Sequence, residues 1–422
     1  MNYQDYLKNK KPYQEAGHIF LLERKHACLY YKPGKGKTYP CIEAISDINK
    51  QKGGRAKVLI LSTPDAIKNM WKVDICPQGI LPMNAELYTF NSAVVDTRKT
   101  YLTSIKWDII VIDECHKIKA HNTKISKLVF LLTKKCEYVF GLSGTPRGNS
   151  DVDIFCQFHN MHISDWGEIS YTYFTQNCCV CEEQYFNGHM ILKPVAIADK
   201  YRDGWERNIA YYTQRVDYDE DDNMPQLIVN DFRVPYKITK EYTQAEQGVI
   251  SIPDFETTLT KLTAINKLHQ IANGYVYTDG GVYHINDNFK LEVLQELVKY
   301  KDCVTIVYKF IEDLSDIKLA LGEENCTELI DVFKSGKKKY LLLQCSRCES
   351  FNLQMCNNII FYTMDYSYIY YNQMLHRLWR MGQQNDVTVT VLVNADTIEE
   401  KIWRVVKNKE SLSELFFAIK GI

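Results

Sequence analysis

The chain has no excess of either charge, no long apolar run and no paired cysteine framework. Its 51 lysines and arginines against 52 aspartates and glutamates leave a net charge of −1. That balance excludes a globally basic nucleic-acid binder and confines any phosphate contact to local clusters. No segment approaches the roughly 18 consecutive apolar residues of a membrane span. The opening MNYQDYLKNKKPYQ is polar and lysine-rich, without the apolar core of a signal peptide, so a cytoplasmic protein with no membrane partner is expected. The fourteen cysteines are scattered through apolar and strand-like segments and read as reduced, buried thiols. Cys178, Cys179 and Cys181 with His189, and Cys345 and Cys348 with Cys356, lack a second pair at zinc-site spacing, so neither cluster is expected to hold zinc. Solenoid repeats and low-complexity tails are also missing.

What is present is enough apolar sequence for large cores. The 422 residues, 45% apolar, suit roughly two to four domains. Short β-branched runs recur at 58–61 (VLIL), 109–112 (IIVI), 138–142 (YVFGL), 305–308 (TIVY), 340–343 (YLLL), 359–362 (IIFY) and 387–393 (VTVTVLV). Near-continuous apolar runs of this length fit strands buried on both faces of a parallel sheet. Helical spacing at 124–132 and 289–300 separates them and argues for α/β layers. The runs fall into two groups, divided by a middle region without strand rhythm that is expected to be helical. Its acidic run at 217–222 (DYDEDD) and the lysines at 334–339 read as solvated surface.

The chemistry starts at 32–38, KPGKGKT, ahead of a predicted helix over 39–50. Gly34 and Gly36 let the backbone curl so that N–H groups face phosphate oxygens. Lys37 can then reach the β and γ phosphates, and the Thr38 hydroxyl can ligate magnesium. A strict phosphate loop would have glycine where Tyr31 stands. At 109–116, IIVIDECH, an apolar strand ends in two carboxylates, placing Asp113 and Glu114 at the carboxyl edge of a sheet where ligands of open α/β sheets bind. Asp113 can hold magnesium, and Glu114 can polarise the attacking water. The turn Ser143, Gly144, Thr145, Pro146 follows the next strand. More than 330 residues after the loop, QMLHRLWRMGQ at 373–383 predicts Arg377 and Arg380 on one helix face at i and i+3. Such a pair suggests a second lobe that meets the nucleotide.

The order KPGKGKT, DECH, SGTP and QxxxRxxR resembles that of the superfamily 2 helicases, and within them the Swi/Snf-type ATP-dependent DNA translocases. The resemblance runs over 11–403. KPYQ at 11–14 is similar to the family's entry motif, LSTP at 61–64 with Asn69, Met70 and Trp71 to its first strand-contacting motif, and IVYKF at 306–310 to its fourth motif. The segment VTVTVLVNADTIEEKIW is similar to its closing strand and brace helix, where Thr397 and Glu400 predict a capping box. The fifth motif departs: RCESFNL at 347–353 lacks the usual glycines. Cys115 stands where alanine or glycine is more usual and reads as a packing residue.

This resemblance implies an α/β architecture of two RecA-like lobes, each a mostly parallel sheet flanked by helices, with helical insertions between them. The expected division is a first lobe over 1–236 with a helical insertion at about 150–225, a helical protrusion or linker over 237–288, and a second lobe over 289–422 ending in the brace helix. ATP and Mg²⁺ are the implied cofactors. Gln14 would read the adenine edge, and Pro33, Gly34, Lys35, Gly36, Lys37, Thr38 and Glu349 would line the nucleotide. Thr38 and Asp113 would take the metal, with Glu114, Arg377 and Arg380 serving the chemistry. Ser62, Thr63, Asn91, Ser92, Ser143, Thr145, Lys309, Ser346, Asn352 and Gln373 would couple to DNA, gripping backbone without reading sequence. The expected activity is that of a monomeric, ATP-driven motor on DNA, duplex more than single-stranded, working in replication or recombination with partner proteins. Its compact form suggests a bacterial or phage-infected cell. A nucleotide-gated clamp or loading module with little movement is the alternative.

Overall fold

The computed structural model describes residues 3–146, 152–186, 189–219, 224–253, 255–259, 261–285, 289–347, 352–380 and 382–408. They form two compact units, one reaching to Asp219 and the other beginning at Met224. In the first unit a six-stranded sheet runs in the order Ala85–Thr89, Val58–Ser62, Ile109–Asp113, Tyr138–Leu142, His26–Tyr31, Thr213–Val216. Every pairing in it is parallel. The three strands Val58–Ser62, Ile109–Asp113 and Tyr138–Leu142 are buried along their whole length.

Strand alternation divides the core of this unit. Ile110 and Ile112 pack with Leu128, Val129 and Leu132 of the helix Lys124–Thr133. Ile109 and Val111 pack instead with Ile42, Ile45 and Ile48 of the helix Thr38–Gln51. Successive side chains of a strand point to opposite faces, so both faces are covered and each fully buried aliphatic contributes about 1.5–3 kcal/mol. All seven predicted runs fall on strands for this reason: a two-sided burial demands an apolar residue at nearly every position.

The second unit repeats the plan. Its strands run in the order Cys326–Thr327, Tyr340–Gln344, Val304–Tyr308, Asn358–Phe361, Val387–Asn394, Leu227–Val234, again all parallel. Each unit is thus a parallel sheet flanked by helices, as expected for the two lobes. The strand Leu227–Val234, which precedes the boundary expected at 236, pairs along its length with Val387–Asn394 in the second sheet. It is an edge strand, largely exposed, so its sequence LIVNDFRV carries no continuous apolar run. The middle region, expected to be helical, does hold the helices Val152–Asn160, Asp199–Tyr212 and Lys261–Ala272. It also holds three antiparallel hairpins: Cys179–Phe186 with His189–Ile197, Val249–Ile252 with Phe255–Thr258, and Tyr275–Thr278 with Gly281–His284.

A buried polar cluster ties three helices of the second unit together. Lys290, near the start of the helix Phe289–Val298, is fully buried. Its ammonium donates to Glu399 Oε1 (2.6 Å), Asn273 Oδ1 (3.0 Å) and the Tyr362 carbonyl (3.0 Å). Glu399 also accepts from Asn273 Nδ2 (2.9 Å) and from the Asn394 N–H (2.8 Å). Burial alone would raise the Glu399 pKa, but Lys290 and His269 outweigh it and hold the carboxyl at about 2. Glu399 belongs to the helix Ile398–Asn408, the expected brace. The capping box predicted there forms only in part: Thr397 Oγ1 accepts the Glu399 N–H at 3.2 Å, while Glu400 faces Arg233.

Candidate nucleotide site

The strand His26–Tyr31 runs into the loop 32–37, which opens the helix Thr38–Gln51. Gly34 and Gly36 have φ of 91° and 71°, a left-handed backbone that glycine adopts without steric cost. A Cβ on Gly36 would lie 2.6 Å from Gln14 Nε2, so a side chain there would strain the backbone and push the Gln14 amide aside. The Gln14 amide donates to the Lys35 carbonyl (3.2 Å), and its oxygen accepts the Lys11 N–H (3.0 Å). Gly144 of the SGTP turn packs on the Pro33 ring, which a Cβ there would approach to 3.1 Å. Loop, entry motif and SGTP turn therefore meet, and the loop opens a helix N-terminus, a place where phosphates commonly bind.

Lys35 departs from the expected nucleotide lining. Its side chain is 1% exposed and runs to Asp219 Oδ2 at 3.3 Å, over the Tyr13 ring at 5.2 Å. Asp217 pairs with Lys32 at 3.6 Å, and the Tyr218 hydroxyl donates to the Pro33 carbonyl at 2.7 Å. The start of the acidic run is exposed surface, as expected, whose side chains also pair with the loop 32–37. Residues 220–222 lie outside the described residues.

Asp113 is the last residue of its strand and is buried. Its Oδ2 accepts from the Ser62 hydroxyl (2.9 Å) and from Trp71 Nε1 (3.0 Å). Burial raises its pKa, the neighbouring Glu114 charge adds to the rise, and Lys37, Trp71 and Ser62 oppose it. Glu114 has φ 60° and ψ 51°, a left-handed conformation that costs a non-glycine residue energy and clusters at functional sites. That turn directs Glu114 Oε1 to Lys37 Nζ (3.5 Å) and Oε2 to His116 Nδ1 (3.3 Å). His116 Nδ1 also meets Ser143 Oγ at 3.2 Å, and Ser143 Oγ accepts the Thr145 N–H at 3.2 Å. A chain of contacts thus leads from the phosphate-loop lysine through Glu114 and His116 into the SGTP turn.

Two neighbours of this centre differ from their sequence roles. Ser62 and Thr63 are buried; the Ser62 hydroxyl is committed to Asp113, which removes it from the face expected to grip DNA. Trp71 shares in holding Asp113, from a segment, Ala66–Ile75, wound in wide π-type turns of the kind often found at functional sites. Asn91 is exposed, and Ser92 sits beside it on the short helix Phe90–Ala93, whose N-cap is Thr89. The Thr38 hydroxyl lies 3.7 Å from Met70 Sδ. Thr38 and Asp113 are hard oxygen donors, suited to magnesium bound chiefly through nucleotide phosphates. Among the described residues no three His, Cys, Asp or Glu side chains gather as a protein-only metal cage.

In the second unit the helix predicted to carry both arginines ends early. It spans Tyr368–Leu378, and Trp379 leaves it with φ −85° and ψ 94°, so Arg377 is helical while Arg380 lies beyond the end rather than on the same helix face. One tertiary and two local features accompany the break: Trp379 Nε1 donates to the distant Pro225 carbonyl (2.8 Å), its ring stacks on His376, and Gly382 turns the chain at φ 93°. The Arg377 carbonyl accepts the Leu353 N–H at 2.9 Å, anchoring the end of the fifth motif. Lys309 is only 13% exposed, 3.6 Å from Asp365, with its ammonium 3.5 Å from the Tyr366 ring centroid, a poor disposition for gripping DNA phosphates. Ser346 is exposed on the turn Cys345–Arg347. Asn352 is exposed and bonds Gln354 at 2.6 Å, whereas Gln373 is buried within its helix. Glu349 lies outside the described residues.

Comparison with known proteins adds three findings. The SNF2-related domain family matches residues 86–214. The chain is 22% identical to the putative ATP-dependent helicase/translocase YwqA of Bacillus subtilis over 96% of its own length and 48% of that protein, and 22% identical to the uncharacterized ATP-dependent helicase YqhH of the same organism over 86% and 71%. It therefore spans about half the length of the first of these relatives. Among solved structures, the Sulfolobus solfataricus SWI2/SNF2 ATPase core in complex with dsDNA is 21% identical, covering 97% of this chain and 92% of that one with a TM-score of 0.41.

Proposed function

We propose that this chain, which carries the SNF2-related domain of the superfamily 2 helicases, is an ATP hydrolase whose turnover drives movement along duplex DNA. The observation that carries the reading is the convergence, within one unit, of a glycine-curled loop at a helix N-terminus, Lys37, and the strand-end pair Asp113 and Glu114. Lys37 Nζ and Glu114 Oε1 are 3.5 Å apart. When phosphates enter the loop, Lys37 turns to the β and γ oxygens and frees Glu114 to orient and deprotonate a water. Thr38 and Asp113 would hold magnesium, whose charge neutralises the phosphate oxygens when bound. Gln14 fixes the Lys35 peptide of the loop and is the group proposed to read the adenine edge. Arg377 and Arg380 of the second unit supply positive charge to the transferred phosphoryl group.

His116 and Ser143 give this site an outlet. A change at Glu114 is felt at the SGTP turn through their contact, and the turn and neighbouring loops are the route proposed to DNA. Exposed Asn91 and Ser346 are the contacts this reading favours, engaging backbone phosphates without sequence preference, so affinity falls steeply with salt. The chain acts as a monomeric cytoplasmic motor in replication or recombination. ATPase rates without DNA, with single strands and with duplex, measured beside displacement of a third strand from a triplex, test the proposal. Duplex stimulation with displacement is expected. Binding without turnover would replace the motor with a nucleotide-gated clamp, and stimulation by single strands alone would favour a strand-separating helicase.

A further inference from the structure

The helix Val152–Asn160, which follows the SGTP turn, makes contacts that the mechanism above does not use. Gln157 is fully buried, and both ends of its amide are engaged. Its oxygen accepts from Cys115 Sγ at 3.2 Å and from the Tyr30 hydroxyl at 3.3 Å. Its nitrogen donates to the Pro146 carbonyl at 2.7 Å and to the Asp153 carbonyl at 3.0 Å. One side chain thus touches the residue after Glu114, the last residue of the SGTP turn, and the strand that feeds the phosphate loop. One helical turn further on, Asn160 Nδ2 donates to the Ile118 carbonyl at 2.8 Å. The helix therefore grips the short turn Cys115–Ile118 at both ends. In the contact with Cys115 the thiol S–H is the donor and the Gln157 oxygen the acceptor.

We propose that Gln157 is a positioning residue that locks the SGTP turn to the turn carrying Glu114, so that Glu114 and His116 stay registered on Lys37 and Ser143. Glu114 occupies a left-handed conformation that persists only where its surroundings over-determine it, and Cys115, its neighbour, is held by this amide. A buried amide satisfied by partners from three segments fixes their separation more tightly than apolar packing, because displacement leaves polar groups unpaired in the interior. No contact with nucleotide is assigned to Gln157; it acts through Cys115 and Pro146.

The inference rests on the ATPase reading, and the test separates the two. Gln157→Leu keeps the volume and removes all four hydrogen bonds. We expect affinity for a fluorescent ATP analogue to stay within about twofold while kcat falls between about 10- and 100-fold, the cost of a small misplacement of catalytic groups. Gln157→Glu adds a readout that simple space-filling would not move. Protonated, the buried acid donates to Pro146 as the amide does; ionised, it cannot, so its kcat should climb toward wild type as the pH is lowered from 8 to 6. Hydrogen exchange of segments 113–118 and 142–146 is read in parallel because it does not depend on turnover, and faster exchange in both in Gln157→Leu is expected. Wild-type kcat and exchange in Gln157→Leu, or a Gln157→Glu deficit independent of pH, overturns the inference. Should Gln157→Leu not fold, Cys115→Ala, which removes one donor alone, must show a smaller kcat loss in the same direction; an unchanged kcat counts against the role. A wild-type chain that hydrolyses no ATP refutes the functional reading, and exchange alone then decides for or against the positioning role.

Discussion

Replacing Lys290 with methionine should uncouple the brace helix from its lobe and remove a measurable acid sensitivity. Lys290 and Glu399 are 0% and 5% exposed in their side chains and 2.6 Å apart, so solvent screening is slight. The Glu399 carboxyl lies at about 2 instead of the ordinary 4.5. At 1.36 kcal/mol per unit that difference amounts to about 3 kcal/mol of stability, in line with the roughly 3–5 kcal/mol lost when one partner of a buried pair is removed. Because the folded pKa lies below the unfolded one, this contribution is fully present above pH 4.5 and is lost as the pH falls toward 2. Lys290→Met should therefore cost about 3–5 kcal/mol at pH 7 and flatten the second unit's response between pH 4.5 and 2. The double variant Lys290→Met/Glu399→Gln should recover part of the loss, since no buried charge is left unpaired. Urea titrations followed by hydrogen exchange in 289–298 and 398–408 read this unit separately, as a two-unit chain requires. A single variant as stable as wild type, or a wild-type second unit whose stability is flat from pH 4.5 to 3, would refute the reasoning.

Three further outcomes follow from the first unit and the arginines. Gly36→Ala combines an unfavourable φ with a 2.6 Å approach to Gln14 and should weaken ATP-analogue binding by at least about tenfold, a loss of roughly 1.4 kcal/mol by titration. Asp113 must be ionised to hold a cation, and its pKa is raised by burial and Glu114; the acid limb of the kcat profile should therefore lie above the usual aspartate range, and Trp71→Phe, which removes an opposing hydrogen bond, should move it higher. Arg380→Ala should leave nucleotide affinity nearly intact while turnover drops by about 10³ or more; wild-type turnover would exclude the arginine from the reaction.

The two sheets were legible because both faces are buried, which forces β-branched residues into unbroken runs such as 109–112 and 359–362. Asp113 and Glu114 were legible for a related reason: charge directly after such a run marks the strand's carboxyl end. Leu227–Val234 escaped because an edge strand needs no such run. The partnership of Lys35 and Asp219 spans 184 residues, and local charge reading sees only a solvated acidic stretch. Spacing alone put Arg377 and Arg380 on one helix face; the pull of Pro225 on the Trp379 indole, which ends the helix, is a tertiary contact. Ser62 and Trp71 stood in a segment assigned to strand contact, and only the fold turns both toward Asp113. A polar residue beside a catalytic strand end could have signalled it, since a buried carboxylate needs donors.

The most direct test of the ATPase assignment is the steady-state ATPase rate on duplex DNA of the wild-type chain beside Glu114→Gln, with ATP-analogue binding measured on both. Duplex-stimulated turnover is expected in the wild type, with near abolition in Glu114→Gln and binding retained. Equal turnover by the two proteins would contradict it.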